Sequence, residues 1–305
     1  MTVYINDSLI TEQPDTCKYT AYLEGQCDAL EMVFDDSEKA ISSLGLVKGD
    51  TVQVIEGNID TGEMYISGID YTSGQAAIRA LSLPLSAFVT DNKLWENVSL
   101  TAVIKDVMKK TGLKVEFIDK PNFNYKALAQ VEECPIKFIA DKLMLEGFGI
   151  RVNHGTAYIF DEKKLETGQY DVQMTAEDFE SAPEYSTKDA KLIAQVENTY
   201  ITPEGKQIST TQKSGIQGKI LRLSMAVDTV GASIRFSNGM MRAANKYEYL
   251  AKGTVQNLDH APGDIIYISD APKGHTGENI IYTIKNDIVG NTQTLLMRRP
   301  IEGDY

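Results

Sequence analysis

The chain has 305 residues, 42% of them hydrophobic and 24% charged, with 43 Asp and Glu against 30 Lys and Arg and a formal net charge of −13. A chain of this length divides into two or three domains, each with its own core. The acidic balance, with no Lys/Arg cluster to offset it, excludes tight binding to a phosphate backbone. Cys17, Cys27 and Cys134 are odd in number and lack metal-ligand spacing, so reduced, mostly buried thiols are expected in a chain made in a cytoplasm. The first residues, MTVYINDSLITEQ, show neither a basic leader nor an apolar segment, and no run of about 18 apolar residues occurs, so no stable membrane insertion is expected.

Residues 1–90 read as short strands: VYI, CKYTAYLE, DALEMVF, TVQVIEG, EMYISGIDY and AAIRALSL, rich in β-branched and aromatic residues and separated by Gly, Asp, Asn or Pro. Even spacing of such strands predicts a small antiparallel barrel or sandwich. At Asp91 the apolar period changes to about 3.6. Leu100, Val103, Ile104, Val107 and Met108 share one helical face, with Ser99 as N-cap and Gly112 as the stop. The strand LKVEF follows, then a polar connection, DKPNFNYKALAQVEE. A second helix starts with Pro135 in its first turn and places Ile136, Ile139, Ala140, Leu143 and Met144 on one face, closed by Gly147. FGIRVNHGTAYIF then reads as a hairpin around Asn153-His154-Gly155. Beyond Gly168 come DVQM and AKLIAQVENTYI as strands, TPEGKQISTTQKSGIQGK as an exposed mobile loop, LRLSMAV as a strand, and a helix through Ile234, Met241 and Ala244 despite Gly231 and Gly239.

The last segment, Gly253 to Arg299, repeats an earlier one, Leu46 to Leu81. Gly49-Asp50 aligns with Gly263-Asp264, Gly62-Glu63 with Gly277-Glu278, Ile69 with Ile284 and Gly74 with Gly290. Intervals agree to within one residue, so one β unit is built twice, about 214 positions apart. The expected class is α+β, mostly β: two related antiparallel β-barrel (tube-like) domains at 1–90 and 166–305, the second carrying one helix, flank a small α/β domain at 91–165.

Catalytic chemistry has few places to reside. The three histidines, His154, His260 and His275, each read as solvated turn residues. No zinc-protease, nucleophile-elbow, P-loop or dinucleotide-binding motif occurs. Asp35-Asp36, Glu132-Glu133 and Asp259 with Asp264 are the carboxylate pairs available for glycoside hydrolysis, yet nothing around them raises a pKa as a general acid requires. Trp95 is expected to pack under the first helix rather than stack on a sugar. Catalytic, cofactor-binding and metal residues are therefore expected to be none.

The runs MMRAANKYEYLAKGTV, APGDIIYI, TGENIIYTIKNDI and QTLLMRR resemble the last β domain of baseplate hub proteins of contractile-tailed phages, the late-control protein D family, whose relatives include tailocin hubs and the N-terminal part of type VI secretion spike proteins. LWENVSLTAVIKDVMKKTGLKV with PIKFIADKLMLEGFGIRVNHGTAYIF resembles that family's middle α/β domain, and GDTVQV with GEMYISGID its first barrel. The resemblance implies a non-enzymatic homotrimer that adapts a sixfold tail tube to a threefold spike and lines a channel. Its partners would be the tube and spike proteins, with tape-measure and other baseplate proteins as further candidates. It implies a place in the tail baseplate of a virion or tailocin, assembled in the host bacterial cytoplasm, with no specific nucleic-acid binding although DNA passes the channel. The acidic excess would then either repel DNA from the channel wall or serve solubility. The chain ends at Arg299-Pro300-Ile301-Glu302-Gly303-Asp304-Tyr305 with no needle or lysozyme-like insert, so a separate spike is expected. A peptidoglycan hydrolase or glycan-binding module of the same particle, and a plain β-rich adaptor, are the alternatives.

Overall fold

The computed structural model of the chain describes residues 1–257, 259–301 and 305. The first segment supplies β1 (Thr2–Ile5), β2 (Ser8–Ile10), β3 (Thr16–Tyr22), β4 (Ala29–Asp35), β5 (Thr51–Glu56), β6 (Ile59–Asp60), β7 (Met64–Thr72) and β8 (Gln75–Leu81). Alternation sets their faces: Cys17, Tyr19 and Ala21, then Leu30, Met32 and Phe34, then Ala76, Ile78 and Ala80 point into one core, and the residues between them point away.

The middle segment comprises β9 (Asp91–Ser99), α1 (Leu100–Thr111), β10 (Lys114–Phe117), β11 (Asn124–Glu133), α2 (Pro135–Leu145), β12 (Phe148–Asn153), β13 (Thr156–Asp161) and α3 (Glu162–Glu166). As expected, the Ser99 side chain caps α1 by accepting from Ala102 N, and Gly112 ends the helix at φ 82°. In α2 the buried face centres on Phe138 rather than on Ile136 and Met144, because Trp95 of β9 stacks on Phe138 with centroids 5.6 Å apart. Residues 124–133, expected as part of a polar connection, are instead a strand paired antiparallel with β9. Its polar composition hides it, since Leu128 and Gln130 alone are buried on its inner face. β10 pairs parallel with β13, and β13 antiparallel with β12, around the expected His154-Gly155 turn.

The last segment gives β14 (Val172–Met174), β15 (Glu184–Thr187), β16 (Ile193–Ile201), β17 (Gln207–Lys213), β18 (Lys219–Leu223), α4 (Val230–Asn245), β19 (Tyr249–Gln256), β20 (Ile265–Ile268), β21 (Gly277–Asp287) and β22 (Thr292–Arg298). The middle of the loop expected at 202–219, Gln207–Lys213, is instead β17, antiparallel to β16. Its inward Ile208 and Thr210 pack under α4, where Thr210 meets Ser233 and Asn198 Nδ2 donates to Ser233 Oγ at 2.9 Å. Small hydroxyl side chains thus make an interface that hydropathy does not register.

The protein is mostly β, as expected, but among the described residues no closed barrel forms. A 14-stranded sheet runs β15-β19-β22-β21-β3-β4-β8-β7-β5-β1-β2, with β6, β14 and β20 attached beside this path. Strands from both ends of the chain therefore share one sheet, joined where β21 pairs antiparallel with β3. Strands β3, β4, β5, β7 and β8 correspond to β15, β19, β20, β21 and β22. In the later copy, residues 188–248, with β16 to β18 and α4, intervene where the earlier copy has only the short β3–β4 connection.

Candidate functional site

The two copies agree down to single hydrogen bonds. Gly49 N donates to Ile66 O at 2.9 Å, and Gly263 N to Ile281 O at 2.9 Å; Ile66 N donates to Asp50 O, and Ile281 N to Asp264 O. The Asp50 carboxylate accepts from Val47 N at 2.8 Å, and the Asp264 carboxylate from Ala261 N at 2.8 Å. The registers of β7–β8 and β21–β22 each shift once, between Ile66 and Gly68 and between Ile281 and Thr283. Gly49 and Gly263 sit at φ 93° and 105°, a backbone that side chains resist, which explains the repeated Gly-Asp.

The carboxylate pairs are built into turns. Asp35 accepts from Ser37 N at 2.9 Å, and that bonding holds it below the usual carboxylate range. Desolvation works against the charge of Asp36, but bonds from Ser42 and Ile41 outweigh it and hold its pKa low as well. Glu132 and Glu133 sit at the irregular end of β11 opposite Asp91. Asp259 accepts from Asn58 and Asn257, each at 2.8 Å, tying its loop to the β5–β6 turn. Asp264 is occupied by the turn at Ala261. Neither Asp35 nor Asp36 carries the raised pKa of a general acid.

His154 is the exposed turn residue expected, whereas His275 departs from that expectation. His154 crosses to the first copy: its Nε2 lies 3.0 Å from Asp60 O, and its ring covers Gly62, where a Cβ would lie 2.8 Å from it. His275 is buried against Tyr185 and Tyr249, and burial, with Arg299 nearby, holds its imidazole below the usual range. His260 lies half-buried just before the Pro262-Gly263 turn, its Nδ1 3.8 Å from Asp264. The three cysteines are free thiols; burial beside Asp287 pushes Cys17 up to about 12, which keeps it inert. Trp95 packs beside α1 as expected, donating to Asp106 at 2.9 Å. Among the described residues no group of three or more His, Cys, Asp or Glu is placed to hold a metal, and no helix is long and apolar enough to cross a membrane.

What the structure brings together instead is a buried charge cluster. Glu162 and Glu166 lie one turn apart on α3, and Arg242 and Lys246 one turn apart at the end of α4. Lys246 binds Glu24, after β3, and Glu162 at 3.1 Å; Arg242 and Arg298 of β22 both bind Glu166. Three carboxylates meet three cations. Burial, together with the neighbouring Glu162, pushes Glu24 up to about 7. Burial also opposes ionisation of Glu162, but Lys246, a bond to Glu24, Arg298 and Arg242 outweigh it and bring it down to about 2. The cluster pins the middle segment, α4 and both sheet copies to one another. Its only sequence trace was two like-charged pairs at i, i+4. Beside it a cavity of about 740 Å³ opens between Cys27, Phe88, Cys134, Ile136 and Tyr247.

Away from the cluster, the sheet face opposite the cores is open to solvent. Arg79, Glu31, Lys18 and Asp287 stand directly opposite one another across β8, β4, β3 and β21, alternating in sign. Arg79 also binds Asp70 at 2.6 Å, and Lys252 of β19 binds Glu184 of β15 at 3.0 Å. Such opposed cross-strand pairs stabilise a wet sheet face modestly.

A duplicated β unit in a shared sheet, with a small α/β segment between the copies, is an arrangement also found in solved phage tail proteins. No protein-family model and no curated protein matches the chain. Solved structures with the same fold include a 43 kDa tail protein of prophage MuSo2 from Shewanella oneidensis, at TM-score 0.77 and 14% identity over 99% of both chains. A tail protein from Neisseria meningitidis aligns at TM-score 0.75 and 9% identity over 98% of this chain and 95% of that one. An Escherichia coli type VI secretion component, described as similar to T4 bacteriophage tail proteins gp27 and gp5, aligns at TM-score 0.59 and 11% identity over 98% and 77%.

Proposed function

We propose that this chain is a structural, non-enzymatic hub of a contractile tail or related injection machine, a homotrimer joining a sixfold tail tube to a threefold spike. Segments 1–90 and 166–305 act as its two tube-like units and 91–165 as the spacer between them. The observation that carries the proposal is the pair of β units, matched in turn hydrogen bonds and register, side by side in one sheet: three copies present six alike units, which is what mating threefold to sixfold symmetry requires. The solvent-open sheet face then lines the channel. On it Lys18, Arg79, Lys252 and Lys285 stand against Glu31, Asp35, Asp70, Glu184 and Asp287, so this wall is close to neutral and the acidic excess lies elsewhere, serving solubility.

Cryo-electron microscopy of assembled particles is expected to show a threefold ring of this chain between tube and spike. A chain that stays monomeric and joins neither refutes the proposal. The hydrolase alternative is tested by a peptidoglycan zymogram of the native chain beside Asp35→Asn and Glu133→Gln; no clearing is expected from any of the three, and clearing by the native chain alone would overturn the non-enzymatic reading.

A further inference from the structure

β21 has a neighbour on each part of one edge: β20 along its first residues and β3 along Thr283 to Asp287. Its counterpart β7 carries β5 along its first residues, at Met64 and Tyr65, and no strand among the described residues along the same edge from Gly68 to Thr72. The counterpart of β3 is β15, which pairs with β19 on one side and has an open edge on the other. The sheet therefore ends in the two halves of a junction that the chain has already made once internally. The β7 half lacks the usual guards of a lone edge: residues 68–72 hold no Lys or Pro, and Tyr71 is 47% exposed.

The register follows from the internal copy. Tyr22, Ala21, Thr20, Tyr19 and Lys18 oppose Thr283, Ile284, Lys285, Asn286 and Asp287. The bulge and the β3–β4 and β15–β19 pairings make Ile69 the equivalent of Ile284, and make Glu184, Tyr185, Ser186 and Thr187 the equivalents of Lys18, Tyr19, Thr20 and Ala21. We propose, resting on the trimeric hub reading, that β7 of each copy pairs antiparallel with β15 of the next, Ile69 opposite Thr187, Asp70 opposite Ser186, Tyr71 opposite Tyr185 and Thr72 opposite Glu184 of the neighbouring copy.

Hydrogen-bond phase agrees on both sides. Leu23 N donates to Tyr282 O and Ile288 N to Cys17 O, so Ile284 and Asn286 exchange bonds with β3, and by equivalence Ile69 and Tyr71 point theirs at the open edge. On β15, Lys188 N donates to Glu248 O, so Ser186 and Glu184 face β19 and Tyr185 and Thr187 face outward. The four outward residues meet as two hydrogen-bonded pairs, and Asp70 with Ser186 forms the close non-bonded pair between them. Glu184 enters this junction already paired with Lys252, so no lone charge is buried. The contact is head-to-tail; closed at three copies, it gives six alike junctions, three within chains and three between them.

Cysteine trapping tests the register. In a background with Cys17, Cys27 and Cys134 replaced by Ala, Asp70→Cys with Ser186→Cys places two Cα atoms about 4.5 Å apart, within disulfide range. Asp70→Cys with Glu184→Cys is the out-of-register control, about 7–8 Å apart on the diagonal. Under mild oxidation from micromolar to millimolar protein, the first pair is expected to give covalent dimers and a ladder ending at the trimer, at least ten times more than the control. Tyr71→Pro removes an N–H used only between copies, so it is expected to keep the monomer's circular dichroism and melting while abolishing the trimer. A trimer by mass that gives no excess of the first link overturns this pairing and leaves the hub reading standing. A monomer throughout overturns both, and a ladder running past three overturns the ring.

Discussion

Arg298 has no exposed surface and its guanidinium binds Glu166 inside the charge cluster. Replacing it with Met keeps most of its volume, so the cost is electrostatic: Glu24, Glu162 and Glu166 then face only Arg242 and Lys246, leaving one negative charge buried without a partner. Breaking a buried ion pair from one side costs about 3–5 kcal/mol. Arg242 still holds Glu166, which places Arg298→Met near the lower end, about 3 kcal/mol. With a urea slope of about 3 kcal/mol per molar, the unfolding midpoint falls by roughly 1 M. Adding Glu166→Gln removes the stranded charge and restores two against two, so the double variant is expected to be more stable than the two single losses sum to, by at least about 1 kcal/mol. Urea titrations of the four proteins at pH 8, above the Glu24 pKa of about 7 so that all three carboxylates are ionised, measure this cycle. A loss under about 1 kcal/mol for Arg298→Met, or strict additivity, would refute the view that the cluster is one balanced unit.

Glu24 also gives the protein a pH signature. Its folded pKa of about 7 exceeds the ordinary carboxylate value of 4.5, so its contribution is largest below pH 4.5 and is lost as pH climbs to 7. Glu162, held at about 2, contributes above pH 4.5 and loses that as pH falls toward 2. Urea midpoints at pH 5, 6 and 7 are therefore expected to show a decline of up to about 1.4 kcal/mol per unit from Glu24, which Glu24→Gln removes. Gly239→Ala would put a Cβ 2.4 Å from Met144 O and 2.5 Å from Leu145 O, so α4 must move off α2 at a cost of about 1–3 kcal/mol. Gly231→Ala, in the same helix with no atom nearer than 3.7 Å, is expected to stabilise by roughly 0.5 kcal/mol, and thermal melts separate the two. Asp50→Ala and Asp264→Ala each remove a turn acceptor, and their losses, about 1 kcal/mol apiece, are expected to match and to add in the double variant because the sites are independent.

The duplication was legible before any coordinates, because Gly-Asp turns and a bulged hairpin need particular residues at fixed intervals. So were α1, α2 and α4, where capping residues and a 3.6 period survive in the sequence. β11 and β17 were not legible: their inner faces are lined by Gln130, Thr210 and other polar groups satisfied only by neighbours distant in sequence. The burial of His275 was hidden for the same reason, since what covers it is Tyr185 and Tyr249.

The sequence by itself determined the repeat, helices α1, α2 and α4, and the absence of recognisable catalytic motifs, all of which depend on spacing along the chain. Only the tertiary structure decided that the two copies fuse through β3 and β21, that six charges meet from Glu24 to Arg298, and that β7 and β15 remain open. These strand partners and ion pairs join residues from 76 to more than 260 positions apart, and local pattern records which face of a strand is buried but not which strand lies beside it.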